Sequence, residues 1–296
     1  MPDGGRVAVV GPGAVGATFA AALLGAGRTV MLCARRDPGP ITVESDDGRS
    51  VVLDTGVLTD PTRVQGRARW VLLCVKAHQT AGAAPWLDAL CDEFSTVVVL
   101  QNGVEHRQRV APLVRGASVL PAIVWSSSEL VRPGRVLTSG VPRLSVPAGP
   151  IGDDLAALFA GSSAAVDVLD DFPSDAWLKL IFNAVAGLEA LAGRRAEIFR
   201  IPEVRELGRH YAAECAAVAR ADGARLADDI DEQVAARFAA NPPDSGTSIL
   251  YDRLADLPLE WDARNDVVRR IGARHGIATP VSDVVVPLLI AASNEV

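Results

Sequence analysis

The chain has 296 residues, of which 49% are hydrophobic and 22% charged, with a formal net charge of −7. That length and apolar share suffice for two cores, and the acidic balance leaves no basic stripe to neutralise phosphates, which excludes a nucleic-acid partner. Four widely spaced cysteines, Cys33, Cys74, Cys91 and Cys215, form no CxxC pair; this suits a reducing, cytoplasmic compartment and offers no metal-ligand set.

From the N-terminus, RVAVV at 6–10 reads as a buried strand and AVGATFAAALLGAG at 14–27 as a helix closed by glycine. Residues 7–27 carry no charge, the length of a membrane span, but Gly11, Pro12, Gly13 and Gly16 interrupt them, and Asp3 stands where a signal peptide would be basic. No membrane or targeting segment is therefore expected. TVMLCA at 29–34 is the next strand, and ITVESDDGRSVVL at 41–53 alternates about an Asp-Asp-Gly turn as a hairpin. WVLLCVK at 70–76 and TVVVLQ at 96–101 are apolar runs of strand length, separated by a helix containing Ala83 to Leu90. Further strands follow between Ser118 and Val146 with a turn at Pro133-Gly134, then a helix near Leu155 to Phe159 and a strand AVDVLD at 165–170. Near-continuous apolar strands alternating with helices predict a doubly wound parallel sheet of Rossmann type.

Beyond Ser174 the pattern is helical throughout, with Asn241–Gly246 as the candidate flexible loop. The expected fold is thus α/β, with an N-terminal nucleotide-binding domain over 1–171 and a C-terminal all-helical domain over 172–296.

GPGAVG, comprising Gly11, Gly13, Ala14, Val15 and Gly16, follows the first strand and opens the first helix, the context in which GxGxxG binds a dinucleotide. The helix N-terminus then offers N–H groups and partial positive charge to a pyrophosphate. At the end of the second strand stand Arg35-Arg36-Asp37. Arg35 suits the 2′-phosphate of NADPH, while Asp37 competes for the NAD role from beside Pro38-Gly39.

The stretch AWLKLIFNAV at 176–185 is almost wholly apolar yet carries Lys179 and Asn183, four residues apart on one helical face. A buried ammonium is costly, and desolvation lowers its pKa, which suits a proton donor. A lysine snorkelling to solvent and a satisfied core amide are the structural alternatives.

These segments, with VKAHQ at 75–79, LQNG at 100–103, SILYD at 248–252, EWD at 260–262 and GIATP at 276–280, resemble the ketopantoate reductase (2-dehydropantoate 2-reductase) family over nearly the whole chain. The resemblance implies a Rossmann domain, a helical domain and a cleft between them, with NADPH reducing a 2-oxo acid to a 2-hydroxy acid. It implies Lys179 and Glu260 as catalytic groups, and Asn183, Ser248 and Asn102 as substrate contacts. Lys76 and Asn102 join the glycine loop and Arg35 around NADPH/NADP+. A homodimer formed through the helical half is compatible with this resemblance.

Two of these residues have structural alternatives: Ser248 could cap the helix after the 241–246 loop, and Glu260 could be a first-turn acid after Pro258. No second basic residue stands out for a substrate carboxylate. The chain departs from the family at Gly187, where a second asparagine is usual; one turn beyond Asn183, that amide would face the same cleft, and its loss predicts a substrate lacking the ketopantoate hydroxyl. The other readings left open are a different ketone or imine as substrate, or a non-catalytic NADPH sensor.

Overall fold

The computed structural model describes residues 5–294; Asp3, which weighs against a signal peptide, lies outside them. The chain forms two compact units. The first runs through Gln101 and resumes from Glu105 to Phe172, and the second takes Asn102–Val104 and Pro173 onward.

The first unit contains strands β1 (Val7–Val10), β2 (Val30–Cys33), β3 (Ile41–Ser45), β4 (Ser50–Leu53), β5 (Val57–Leu58), β6 (Trp70–Leu73), β7 (Thr96–Val99), β8 (Ser118–Pro121), β9 (Ile123–Arg132), β10 (Arg135–Pro147) and β11 (Ala165–Leu169). Its helices are α1 (Ala14–Gly25), α2 (Ala84–Leu90), α3 (His106–Val110) and α4 (Pro150–Phe159). Six strands form an all-parallel sheet ordered β5-β2-β1-β6-β7-β8. Numbered among themselves these strands run 3-2-1-4-5-6, the doubly wound order whose reversal lies between β1 and β6.

Period-two alternation divides the sheet between two cores. Val7 and Val9 of β1 join Phe19 and Leu23 of α1 in one, while Ala8 and Val10 join Trp86, Leu87 and Leu90 of α2 in the other. Apolar residues on both faces explain why these strands read as unbroken hydrophobic runs.

The 41–53 hairpin and the strands after 123 build a second sheet, which the sequence pattern does not separate from the first. Its order is β11-β10-β3-β4, with β9 antiparallel to β10. Val43, Leu53, Val136 and Leu144 from this sheet pack in the same core as α1.

The second unit is helical: α5 (Phe172–Ala192), α6 (Pro202–Ala221), α7 (Ile230–Ala240), α8 (Ser248–Leu254), α9 (Val267–His275) and α10 (Pro280–Ala292). Helix α5 is apolar around most of its circumference, as befits a central helix. Its Leu180, Ile181, Ala184, Val185 and Leu188 pack with Tyr211, Cys215 and Val218 of α6 and Val267, Val268 and Ile271 of α9. It stops at Gly193, whose φ of +61° is the left-handed conformation that ends helices. A π-helical turn at Asp262–Asp266 leads into α9. The 241–246 loop is anchored, since Ala196 N–H donates to Ser245 O at 2.9 Å and Glu197 N–H to Pro243 O at 3.2 Å.

Among the described residues no helix is long and apolar enough to cross a membrane, and no group of three or more His, Cys, Asp or Glu is arranged to hold a metal ion. Cys33, Cys74, Cys91 and Cys215 are all free thiols.

Candidate active site

In the first unit, the three motif glycines are held by three different constraints. Gly11 has φ +90°, and a Cβ there would lie 2.8 Å from Val75 Cγ1, so the turn off β1 admits no side chain. At Gly16 a Cβ would lie 2.3 Å from the carbonyl oxygen of Gly11, which lets α1 start tight against the loop. Gly13 is exposed, and a Cβ on it would meet nothing within 4 Å. Packing within the protein therefore does not require glycine at 13, whereas close approach by a ligand would. Helix α1 opens at Ala14 and Val15 with no capping side chain and no acidic residue in its first turn, leaving the positive end of its dipole uncompensated. These features suit a dinucleotide pyrophosphate.

Arg35 lies exposed two residues past β2. Asp37 Oδ1 accepts the Gly39 N–H at 2.9 Å, so its carboxylate is engaged in closing its own turn. Lys76 precedes a short 3-10 turn at Ala77–Gln79, and that loop is pinned by Gln101, whose Nε2 donates to Val75 O and Thr80 Oγ1, each at 2.9 Å.

In the second unit, four sequence-predicted residues meet in one hydrogen-bonded row. Asn102 Nδ2 donates to Glu260 Oε2 at 3.0 Å, and Asn183 Nδ2 donates to Asn102 Oδ1 at 3.1 Å. Arg264 NH2 donates to Asn183 Oδ1 at 3.2 Å, and its NH1 to Ser248 Oγ at 2.9 Å. The residues come from positions 102, 183, 248, 260 and 264, so the row is a product of tertiary packing. Arg264 is the member that the sequence pattern did not disclose; its spacing of four residues from Glu260 was the available signal.

Lys179 lies one turn before Asn183 on α5 and is partly buried. Burial, and secondly the positive charge of Arg264, pull its pKa down from 10.5 to about 8. Arg264 itself is 2% exposed; burial lowers its pKa, against the attraction of Glu260, Asp252 and Glu189. Glu189 is fully buried, its Oε2 accepts the Thr247 N–H at 2.9 Å and Oγ1–H at 2.8 Å, and burial raises its pKa.

The structure bears on the structural alternatives for two of these residues. Ser248 does not cap α8, because the helix begins at Ser248 with Thr247 in the cap position, and the serine oxygen is engaged by Arg264 instead. Glu260 does stand at the start of a helical turn, its carbonyl accepting the Arg264 N–H at 3.1 Å, but its side chain is 3% exposed and accepts from Asn102.

Two family profiles match the sequence: one described as ketopantoate reductase PanE/ApbA over residues 7–150, and one described as its C-terminal part over residues 171–293. The chain belongs to the ketopantoate reductase family. It is 48% identical over 288 residues to a 2-dehydropantoate 2-reductase of Mycobacterium tuberculosis, covering 97% of this chain and 98% of the relative. It is 38% identical to one of Caulobacter vibrioides, covering 97% and 99%. The crystal structure of 2-dehydropantoate 2-reductase from Geobacter metallireducens superimposes with a TM-score of 0.89 at 27% identity, over 97% of this chain and all of that one.

Within a ketopantoate reductase, Gly187 takes on a meaning different from the one its sequence position suggests. A Cβ on Gly187 would lie 2.9 Å from Asn265 Nδ2 and 3.2 Å from Leu289 Cδ1. The position faces a filled core, and the neighbouring space is taken by Asn265, whose Nδ2 donates to Ala184 O and Tyr211 Oη, each at 3.0 Å. The glycine is therefore a packing residue. Expecting a substrate without the ketopantoate hydroxyl loses its basis, because Gly187 does not open a gap in the site.

Proposed function

We propose that this oxidoreductase reduces 2-dehydropantoate to the corresponding 2-hydroxy acid with NADPH, using Lys179 as the proton donor. The observation that carries the proposal is a partly buried ammonium with pKa lowered to about 8, beside a row of amide, hydroxyl and carboxylate groups in the same unit. Bound NADPH supplies a hydride to the substrate's carbonyl carbon. The oxygen left with the electron pair takes a proton from Lys179 Nζ, and the ammonium's charge polarises that oxygen beforehand. Asn183, Asn102 and Ser248 hold substrate oxygens, and Glu260 orients the row through Asn102.

Gly11, Gly13, Ala14, Val15 and Gly16 receive the pyrophosphate, joined by Lys76, with Asn102 shared between cofactor and substrate. Arg35 takes the 2′-phosphate, and the engagement of Asp37 with Gly39 N–H supports NADPH over NADH. The protein acts in the cytoplasm as a homodimer in this proposal; exposed Val284 and Leu288, one turn apart on α10, support a partner on the helical unit.

The test is NADPH oxidation over a panel of 2-oxo acids with ketopantoate as reference, repeated with NADH. Turnover on ketopantoate with preference for NADPH is the expected result. No turnover on any 2-oxo acid, with NADPH still bound, would overturn catalysis in favour of a cofactor-binding role.

A further inference from the structure

The direction of the hydrogen-bonded row is fixed at both ends. A guanidinium has N–H donors and no acceptor, and an ionised carboxylate only accepts. Since Arg264 NH2 donates to Asn183 Oδ1, Asn183 must turn Nδ2 toward Asn102. Asn102 in turn presents Oδ1 to Asn183 and Nδ2 to Glu260. Flipping Asn183 would set an N–H against the guanidinium, and flipping Asn102 would set an oxygen against the carboxylate. At its other terminal nitrogen Arg264 donates to Ser248 Oγ, so that oxygen accepts there and its own proton is directed elsewhere.

What the row fixes for a ligand is the direction of its donors. The hydroxyl proton of Ser248 and the second N–H of each amide are directed away from the row, while each of these oxygens keeps a second lone pair. Ser248 is exposed and Asn102 partly so, whereas Arg264 is 2% exposed and stands behind them. A residue needed only to fill that space would be apolar, because a buried cation is costly and its Nε here has no hydrogen-bond partner.

We propose that Arg264 is a positioning residue that sets the donor–acceptor polarity of the substrate site. Through Asn183 and Ser248 it fixes where the site presents its donors, and so favours a substrate whose acceptors meet them, such as the carboxylate and carbonyl of a 2-oxo acid. The proposal rests on the functional reading above. The charged groups that act on Arg264 are Lys179 and Glu189 of α5, Asp252 of α8 and Glu260.

The experiment compares Arg264→Lys, Arg264→Gln and Arg264→Met in the full chain, with ketopantoate varied at saturating NADPH. Lysine keeps a donor-only cation, glutamine can accept as well as donate, and methionine does neither. The Gln and Met variants should raise KM for ketopantoate by about thirtyfold or more, on the scale of one or two charge-assisted hydrogen bonds. The change in kcat should be smaller, and NADPH affinity by fluorescence titration unchanged. Lysine should recover most of the lost affinity. A Gln or Met variant with KM within about threefold of wild type would overturn the proposal, as would a Lys variant as impaired as Met. Side-chain amide ¹⁵N–¹H signals of Asn102 and Asn183 read the same variants without turnover. They should move in Gln and Met and stay near wild type in Lys; unmoved signals in both neutral variants would also overturn it. Wild-type protein that failed to reduce ketopantoate would strike the functional reading, and the spectra would still decide the role of Arg264.

Discussion

If Lys179 donates the proton, reduction requires its ammonium form, and the rate should follow that form through pH 8. With a pKa of about 8, about nine-tenths of the lysine is protonated at pH 7 and just under one-tenth at pH 9, so kcat/KM for ketopantoate should fall about tenfold across that interval. Oxidation of the 2-hydroxy acid needs the neutral amine and should rise over the same window. Because the charge of Arg264 is a second cause of the lowered value, Arg264→Met should move the midpoint upward. The same shift has a cost in stability. Lowering a pKa from 10.5 to about 8 corresponds to at most about 3 kcal/mol at about 1.4 kcal/mol per tenfold, less for a part-exposed amine. The penalty is complete below pH 8 and is relieved as pH rises toward 10.5, because there the unfolded chain binds the proton and the folded one does not. Lys179→Met should therefore abolish turnover while unfolding at higher urea than wild type at pH 7, with the gap narrowing by pH 10. A reduction rate level to pH 10, or a Met variant keeping more than about a tenth of wild-type turnover, would refute the reasoning.

Three further outcomes separate ligand contacts from packing. Gly13→Ala should leave the melting temperature almost unchanged, as its Cβ meets nothing within 4 Å, yet weaken NADPH binding about tenfold or more by obstructing the pyrophosphate; calorimetric titration and thermal denaturation read the two effects. Arg35→Ala should raise KM for NADPH about tenfold or more and leave KM for NADH nearly constant, since only the 2′-phosphate distinguishes them. Gly187→Asn should destabilise the protein by about 1–3 kcal/mol through overpacking against Asn265 and Leu289, with no gain in efficiency on ketopantoate, as measured by urea denaturation and steady-state kinetics.

The elements were legible where local pattern and final environment agree. The strand–glycine–helix passage through Gly16 pairs a turn with the helix it opens, and the apolar run of α5 from Ala176 to Leu188, broken only by Lys179 and Asn183, reads as a buried helix. The division of the strands between two sheets was not legible, because β3 and β10 alternate as any half-buried strand does and nothing local names their partners. In the site, Lys179 and Asn183 stood out as polar residues in an apolar run. Arg264 did not, sitting among Asp262, Asp266, Arg269 and Arg270 in a charged stretch that reads as a solvated face. All four of those neighbours do form ion pairs: Arg270 meets Asp262 and Asp266, and Arg269 meets Asp283. Burial, which sequence cannot supply at this resolution of pattern, is what distinguishes Arg264 from them. Gly187 misled for the mirror reason: a small residue reads as a vacancy until its neighbour is known.

The turn that brings Arg264 inward also explains why Gly187 is tolerated. Successive residues of an α-helix leave it about 100° apart, so adjacent side chains do not share a face. The π turn at Asp262–Asp266 carries one residue more than an α turn, and two adjacent side chains within it both reach α5. Arg264 meets Asn183, while Asn265 meets the carbonyl of Ala184 and the space beside Gly187. The arrangement is not optimal for stability. Four buried polar atoms, Arg264 Nε, Asn265 Oδ1, Glu189 Oε1 and Glu197 Oε2, have no hydrogen-bond partner among the described residues, each at a cost of about 1–3 kcal/mol. Such departures from satisfied packing gather where a fold serves chemistry. Here two of the four lie on Arg264 and Asn265 themselves.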